Sequence, residues 1–347
     1  MKYKVSIQPS GHQIEVGQDE SILGAALRGK IIFPYGCQSG VCGACFGKVL
    51  EGEVAYPDDL PMGLSEDDHK EGNALFCKAV AKSDLVIEVA EVKQKIEIEV
   101  KTLPCKVSAL RQLSHDVMEV ILKLPETQTF SFLAGQYINF ILPDGKERAF
   151  SLASSPNDSG YLELHIRHVD GGIFTEQVFN QLKEKAILRI KGPLGTFFLR
   201  DVTRPIILMG GGTGFAPLKG MMEQIIADDV TEDVYLYWGV RTKEDLYLAD
   251  MAYKWEQQYT NVNFIPVLSD SKEEDQWQGR TGFVHEAVVK DHADLANFDI
   301  YMSGPPVMVD AGVEAFKKQG SQKEQMYSDA FEFSDDALAA MKSSSAG

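Results

Sequence analysis

The chain has 347 residues and a 44% hydrophobic composition, enough for two or three domains that each bury a core. Its 34 Lys and Arg against 51 Asp and Glu leave a net charge of −17, which disfavours nucleic acid and anionic membranes and suits a basic protein partner. No apolar run approaches the roughly 20 residues that span a bilayer, and the first strand begins almost at Met1 with no secretory leader. The expectation is therefore a cytoplasmic chain without disulfides.

Residues 3–9 and 12–16 alternate around Ser10-Gly11, a hairpin signal, and SILGAALRG then carries apolar residues at helical spacing as far as Gly29. The next segment, PYGCQSGVCGACFGKV, holds Cys37, Cys42 and Cys45, with Cys77 further on. C-x4-C-x2-C followed by a distant fourth is the thiolate spacing of a plant-type [2Fe–2S] cluster. Gly36, Gly40 and Gly43 let the loop wrap two irons and turn amides toward the sulfurs. Zinc, which usually takes two short-spaced ligand couples, fits worse. Cys105, in TLPCKVSAL, stands apart and reads as a small buried hydrophobe. Strands at GEVAY and DLVIEV complete a small mixed sheet crossed by one helix. Residues 1–92 carry 8 Lys and Arg to 14 Asp and Glu, so pairs such as Asp58–Asp59 and Asp67–Asp68 either steer a partner toward the cluster or form a solvated surface.

A charged stretch, EVKQKIEIEVKTLP, leads away, and a domain boundary falls between Val92 and Lys101. To about Arg200 the pattern is nearly all strand: VSALRQL, VMEVILKL, QYINFILP, RAFSLAS, YLELHIRHV and ILRIKG, with one helix, FTEQVFNQLKE. Six strands broken by turn residues predict a small antiparallel barrel. On one strand Arg148 and Phe150 share a face, with Ser151 next. Arg148 could hold a phosphate and Phe150 lie against a flat ring, or the two could be a surface cation and a core aromatic. Gly172, Ile173, Phe174 and Thr175 open the helix, a plausible anion site.

After Pro205 strands and helices alternate, as in a parallel α/β domain. The strand IILM runs into Gly210-Gly211-Gly212-Thr213-Gly214, then Ala216-Pro217 and an amphipathic helix with Leu218, Met221, Met222, Ile225 and Ile226. Such a turn attracts a dinucleotide's pyrophosphate, although Phe215 stands where the G-x-G-x-x-G fingerprint has its last glycine. YWGVRTKEDLY, with Gly239 and Arg241, and YMSGPP, with Ser303, Gly304, Pro305 and Pro306, end later strands, so three loops converge on one sheet edge. Residues after about Asp335 are Ala/Ser-rich and read as a frayed tail.

Together these segments resemble the ferredoxin–NADP reductase superfamily. The family's R-x-[YF]-S corresponds to Arg148, Phe150 and Ser151, its G-x-x-[ST] to Gly172 through Thr175, its G-G-T-G to Gly211 through Gly214, and its C-G-P-P to Ser303 through Pro306. The chain is similar over Met1 to Phe333 to oxygenase reductases with an N-terminal ferredoxin, such as those of phenol hydroxylase and methane monooxygenase. AGQYI, GPLGTFFLRD and GGTGFAPLK have counterparts in the CDP-6-deoxy-glucoseen reductases. The resemblance implies a multidomain α+β and α/β chain: a β-grasp ferredoxin at 1–92, an antiparallel FAD-binding β-barrel at 101–202, a parallel α/β NAD(P)H-binding domain at 203–335 and a flexible tail at 336–347. It implies [2Fe–2S], FAD and NADH or NADPH as cofactors. Phe150 would lie near the flavin ring and Phe331 would close over it. His165, Ile166 and Arg167 would line the adenine and pyrophosphate side.

Two departures matter. Phe150 lacks a tyrosine's hydroxyl, and Ser303 replaces a cysteine, which implies an altered rate rather than lost activity. Arg241 could approach a 2′-phosphate, but Glu244 and Asp245 would repel one, which favours NADH. The function expected is a monomeric NAD(P)H oxidoreductase whose flavin takes electrons in pairs and passes them singly through the cluster to a protein acceptor, most simply an oxygenase component. A sugar dehydratase is the alternative acceptor, and a non-enzymatic redox or nucleotide sensor the alternative of another class.

Overall fold

The computed structural model describes residues 2–92, 98–157 and 160–331, and the chain divides into two compact units, Met1–Glu97 and Ile98–Gly347. The expected tail at 336–347 lies outside the described residues, as does part of the expected boundary between Val92 and Lys101.

The first unit contains β1 (Lys2–Gln8), β2 (Gln13–Gly17), α1 (Ile22–Arg28), β3 (Phe46–Glu51), β4 (Val54–Ala55), α2 (Glu66–Lys70), β5 (Asn73–Leu75), β6 (Val80–Ala81) and β7 (Leu85–Glu88). Its main sheet runs β2-β1-β7-β3-β5, with β1 and β7 parallel and the other pairs antiparallel. Ser21 caps α1 by accepting from Gly24 N–H, and Gly29 ends it. Two further amides at the helix start donate to Phe76 O at 2.9 Å and Ala79 O at 3.0 Å, so the helix end grips the segment that carries Cys77. Ile22, Leu23, Ala25 and Ala26 bury the other side against Val5, Ile7 and Ile87.

In the second unit β8 (Lys101–Gln112), β9 (Val117–Lys123), β10 (Tyr137–Ile141), β11 (Glu147–Ser151), β12 (Tyr161–Arg167) and β13 (Ile187–Leu194) form an all-antiparallel sheet in the order β11-β10-β13-β8-β9-β12. A bridge between Leu152 and Leu164 joins its two edges, so the sheet closes into a barrel. The only helix described among these strands is α3 (Ile173–Asn180). Cys105 is buried in the barrel core, where burial pushes its thiol up to about 12.

The chain then continues through β14 (Ile206–Gly211), α4 (Phe215–Ala227), β15 (Val234–Val240), α5 (Ala249–Gln258), β16 (Val262–Leu268), β17 (Arg280–Thr281), α6 (Val284–Asp291), β18 (Asp299–Gly304), α7 (Pro306–Lys318) and β19 (Met326–Ala330). The strands form one parallel sheet, β17-β16-β15-β14-β18-β19. Strand order reverses between β14 and β18, and a crevice opens at such a switch point, outside the carboxyl ends of the strands. Helix α4 differs from its amphipathic expectation: Phe215 through Met222 are all buried, Lys219 and Gly220 included. The sheet covers one side and the barrel covers the other, with Gly220 so close to the Leu152 and Ser154 carbonyls that a Cβ there would lie 2.8 Å from Ser154 O.

Candidate functional site

Three of the four expected cluster cysteines lie on the loop before β3, and Cys77 lies between β5 and β6. Gly40 and Gly43 take φ of +89° and +70°, as a tight loop demands, and the third left-handed residue is Gln38 rather than Gly36. The sulfurs fall into two couples. Cys37 and Cys42 each turn their amide to the other's sulfur at 3.4 Å, Ser39 N–H also donates to Cys37 Sγ, and Cys77 N–H donates to Cys45 Sγ at 3.4 Å. Within each couple a shared thiol hydrogen bond lowers one pKa and raises the other: Cys37 is pulled down to about 4 by the Cys42 thiol, and Cys42 is pushed up. Cys45 and Cys77 repeat this, with Cys45 lowered.

A tetrahedral zinc would hold all four sulfurs about 3.8 Å apart, from Zn–S bonds of about 2.3 Å. Among the described residues, the sets of three ligand atoms within 4.8 Å of one another include none of these sulfurs. Two couples with amides aimed at them fit a two-iron cluster, one couple to each metal.

In the barrel, Arg148, Phe150 and Ser151 lie along β11, and Phe150 packs against Phe140 and Phe174, ring centroids 5.8 and 5.5 Å away. Phe174 thereby joins the start of α3 to the strand bearing Arg148. Phe174 is itself core, while Ile173 is 61% exposed. Gly172 is the α3 N-cap and no side chain caps the helix. Thr175 instead braces the turn, its hydroxyl bonded to the Val169 backbone and to Gly172 O. A helix start without a side-chain cap fits a dinucleotide phosphate.

On β12 the side chains of His165 and Ile166 turn inward. Ile166 is core, and the buried His165 ring is engaged at both nitrogens, by Glu163 at 2.9 Å and Tyr247 at 3.2 Å. Arg167 stays exposed and donates to Asp116 at 2.6 Å.

The nucleotide loops meet at the switch point between β14 and β18. A Cβ on Gly214 would lie 2.0 Å from Ser303 O, and one on Gly304, φ +152°, would lie 3.1 Å from Gly211 N, so backbone packs on backbone. Gly212, φ +55°, gives its carbonyl to Trp238 Nε1 at 2.9 Å, and Trp238 stacks on Phe215 with centroids 3.9 Å apart. Thr213 completes this turn, and Pro217 is buried in α4. Gly239 lies against Val284. Pro305 and Pro306 begin α7. Ser303 is fully buried, and its hydroxyl has no hydrogen-bond partner among the described residues. A buried hydroxyl in want of a partner fits a carboxamide such as that of nicotinamide.

One residue that the sequence reading missed links the two halves. Asp329 pairs with Ser303 in the register of β18 and β19, and its carboxylate lies 3.2 Å from Ser151 Oγ at the end of the barrel strand. Phe331, two residues on, donates its N–H to Gly304 O at 2.8 Å. Ser151, Asp329, Ser303 and Phe331 therefore gather where the barrel meets the sheet edge. Arg241 is exposed, and Asp245 is occupied in capping Thr242. Asp270, also unnoticed in the sequence, follows β16 and donates its N–H to Arg241 O at 2.9 Å.

Comparison with known proteins bears on the whole chain. Residues 5–82 match the family described as 2Fe-2S iron-sulfur cluster binding domain, 104–199 the oxidoreductase FAD-binding domain, and 208–314 the oxidoreductase NAD-binding domain. Over 331 residues the chain is 38% identical to the CDP-6-deoxy-L-threo-D-glycero-4-hexulose-3-dehydrase reductase of Yersinia pestis, covering 95% of this chain and 99% of that one. The chain belongs to the iron–sulfur flavoprotein reductases. The reductase is also 36% identical to the phenol 2-monooxygenase reductase component of a Pseudomonas species, covering 90% of each. Among solved structures it is similar to an Amycolatopsis cytochrome P450 reductase, with TM-score 0.78, 32% identity and coverage of 95% and 98%. It is an NAD(P)H-dependent oxidoreductase with [2Fe–2S], FAD and NAD-binding domains, and among the described residues no helix is long and apolar enough to cross a membrane.

Proposed function

We propose that the reductase oxidises NADH and delivers the electrons singly to a separate basic protein, an oxygenase component. Bound FAD and a [2Fe–2S] cluster supply the conversion from paired to single electrons. Residues 1–92 hold the cluster through Cys37, Cys42, Cys45 and Cys77. Residues 101–202 hold FAD, with Arg148 and the Gly172–Thr175 turn at its phosphates and Phe150 and Ser151 beside its ring. Residues 203–335 hold NADH, with Gly211–Gly214, Gly239, Gly304 and Pro305–Pro306 around the dinucleotide, Ser303 at the carboxamide and Phe331 over the ring. The observation that carries this reading is Asp329, which bonds the end of the flavin strand and pairs with the strand bearing Ser303.

The acceptor is argued from relatives and surface. Reductase components of oxygenases recur among them, including a xylene/toluene monooxygenase electron transfer component and a propane 2-monooxygenase reductase component. In the first unit Gly63 N–H donates to Gly40 O at 2.9 Å, so the segment with exposed Met62, Asp58, Asp59, Glu66 and Asp67 leans on the cysteine loop. An apolar tip among acids suits a basic acceptor. A sugar-nucleotide dehydrase is the second reading, favoured by the Yersinia relative.

Anaerobic NADH is expected to bleach the flavin of the holoprotein; a flavin spectrum unmoved by either nicotinamide would defeat the reading. Stopped-flow reduction with the two coenzymes side by side is expected to favour NADH by about 10-fold or more, because Glu244 and Asp245 close behind Arg241 oppose a 2′-phosphate. A clear NADPH advantage would reverse that assignment. Reconstitution with a basic oxygenase component and with a sugar-nucleotide dehydrase distinguishes the acceptors.

A further inference from the structure

Strand β12 sends alternate side chains toward the nucleotide half of the unit. Glu163 meets Lys219 of α4, His165 meets Tyr247 of the loop after β15, and Arg167 Nη1 lies 3.1 Å from where a Cβ on Gly212 would stand. An ammonium has three N–H donors. Lys219 spends all three, on Ala153 O at 3.1 Å, Glu163 Oε2 at 3.0 Å and Glu223 Oε1 at 2.6 Å. The other Glu163 oxygen meets His165 Nε2 at 2.9 Å, and His165 Nδ1 meets the Tyr247 hydroxyl at 3.2 Å.

Burial lowers the His165 pKa, so the neutral ring donates from Nε2 to the carboxylate and accepts at Nδ1 from Tyr247, whose own pKa burial raises. Burial opposes both charges of the ion pair. The Glu163 carboxyl is nevertheless held low by His165 and Lys219, and Lys219 is held high by Glu163 and Glu223. The Lys219, Glu163 and His165 side chains are only 6, 8 and 0% exposed.

A buried ion pair often adds no net stability over an apolar joint of the same shape; its best-attested service is to fix register. Sliding α4 along the barrel by one turn, about 5.4 Å, would part Lys219 from Ala153 O and Glu163 and leave the buried Glu163 carboxylate without its cation, while Glu223, on the same helix, would move with Lys219. Both ends of the network lie beside the chemistry. Lys219 is in the second turn of the helix that leaves the Gly211–Gly214 turn, and its acceptor Ala153 follows Ser151 by two residues.

We propose that Lys219, acting through Glu163, His165 and Tyr247, is a positioning residue that fixes the register between the nucleotide turn and the flavin strand and so sets how the nicotinamide approaches the flavin. This rests on the assignment of FAD and NADH made above.

The test is the double variant Lys219→Met with Glu163→Gln in the full holoprotein. It removes both charges while the Gln amide still accepts from His165. Flavin content and melting temperature are expected to stay near wild type. At saturating NADH, flavin reduction is expected to slow by about 10-fold or more, since misplacement of about 1 Å can cost about 100-fold. The NADH dissociation constant is expected to hold within about twofold, and the long-wavelength absorbance of the reduced flavin with NAD+ to weaken. Lys219→Arg, which keeps the charge, is expected to recover part of both signals.

Flavin reduction within about twofold of wild type, with unchanged absorbance, overturns the proposal. If the double variant fails to fold or loses flavin, Tyr247→Phe decides: it strands no charge, slowing at unchanged NADH affinity supports the proposal, and no slowing overturns it. A wild-type chain that NADH does not reduce would sink the functional reading instead, so the two failures are told apart.

Discussion

Replacing Cys77 by alanine is expected to abolish the cluster's visible absorbance and to cut reduction of cytochrome c by about 100-fold or more, while NADH still reduces the flavin. Each iron needs its couple of thiolates, and Cys45 has no second sulfur without Cys77. No neighbour can stand in, because the segment is fixed from both sides: Leu23 N–H grips Phe76 O and Ile22 N–H grips Ala79 O. Serine could offer an oxygen; alanine offers nothing. Iron and sulfide analysis, cytochrome c turnover and single-turnover flavin reduction check the three parts separately. Undiminished cytochrome c reduction would mean that electrons leave from the flavin directly. A matching loss of flavin reduction would mean that the cluster unit is needed for the nicotinamide step.

Gly214→Ala is expected to be the most damaging single methyl in the nucleotide half. The new Cβ would fall 2.0 Å from Ser303 O and 2.5 Å from Ser303 C, which are backbone atoms at the end of β18 and cannot rotate aside. Either the strand ends part, opening the switch point, or the turn before α4 distorts. Overpacking of this kind costs about 1–3 kcal/mol, and the accompanying misplacement is expected to lower NADH-driven flavin reduction by about 100-fold. Gly212→Ala is the informative contrast. At φ +55° its new Cβ would meet only the flexible end of Arg167, so the cost is the backbone conformation alone, about 1–2 kcal/mol, with a much smaller kinetic effect. Thermal denaturation and stopped-flow reduction of the two variants, run together, check this; equal effects would refute the account of the Gly214 contact.

The parts of the molecule that were legible in the sequence are those whose cause is local. Cysteine spacing, the β11 run Arg148-Ala149-Phe150-Ser151 and the glycines after β14 each lie within a few residues, and the six barrel strands carry their own alternation and turns. The two-residue β6 and the three-residue β5 are too short to show a period, and only pairing defines them, whereas β4 lies within the expected strand GEVAY. Asp329 left no trace for a different reason: its partner Ser151 is 178 residues away, and an exposed-looking MYSDA strand says nothing of that. Helix α4 was read as amphipathic from Leu218, Met221, Met222, Ile225 and Ile226, and only the barrel on its second side makes the buried Lys219 reasonable. His165 was placed by resemblance on the strand that lines the adenine and pyrophosphate side. Its inward turn follows from Glu163 and Tyr247, which chain order does not bring together.

All four thiolates belong to the unit that ends at Glu97, while Ser151, Asp329, Ser303 and the glycine turn belong to the one that begins at Ile98. A lineage could therefore exchange its electron outlet by recombination at a single point and inherit the fuel-handling machinery unaltered, which would let one inherited engine be refitted for hydroxylation or for sugar reduction.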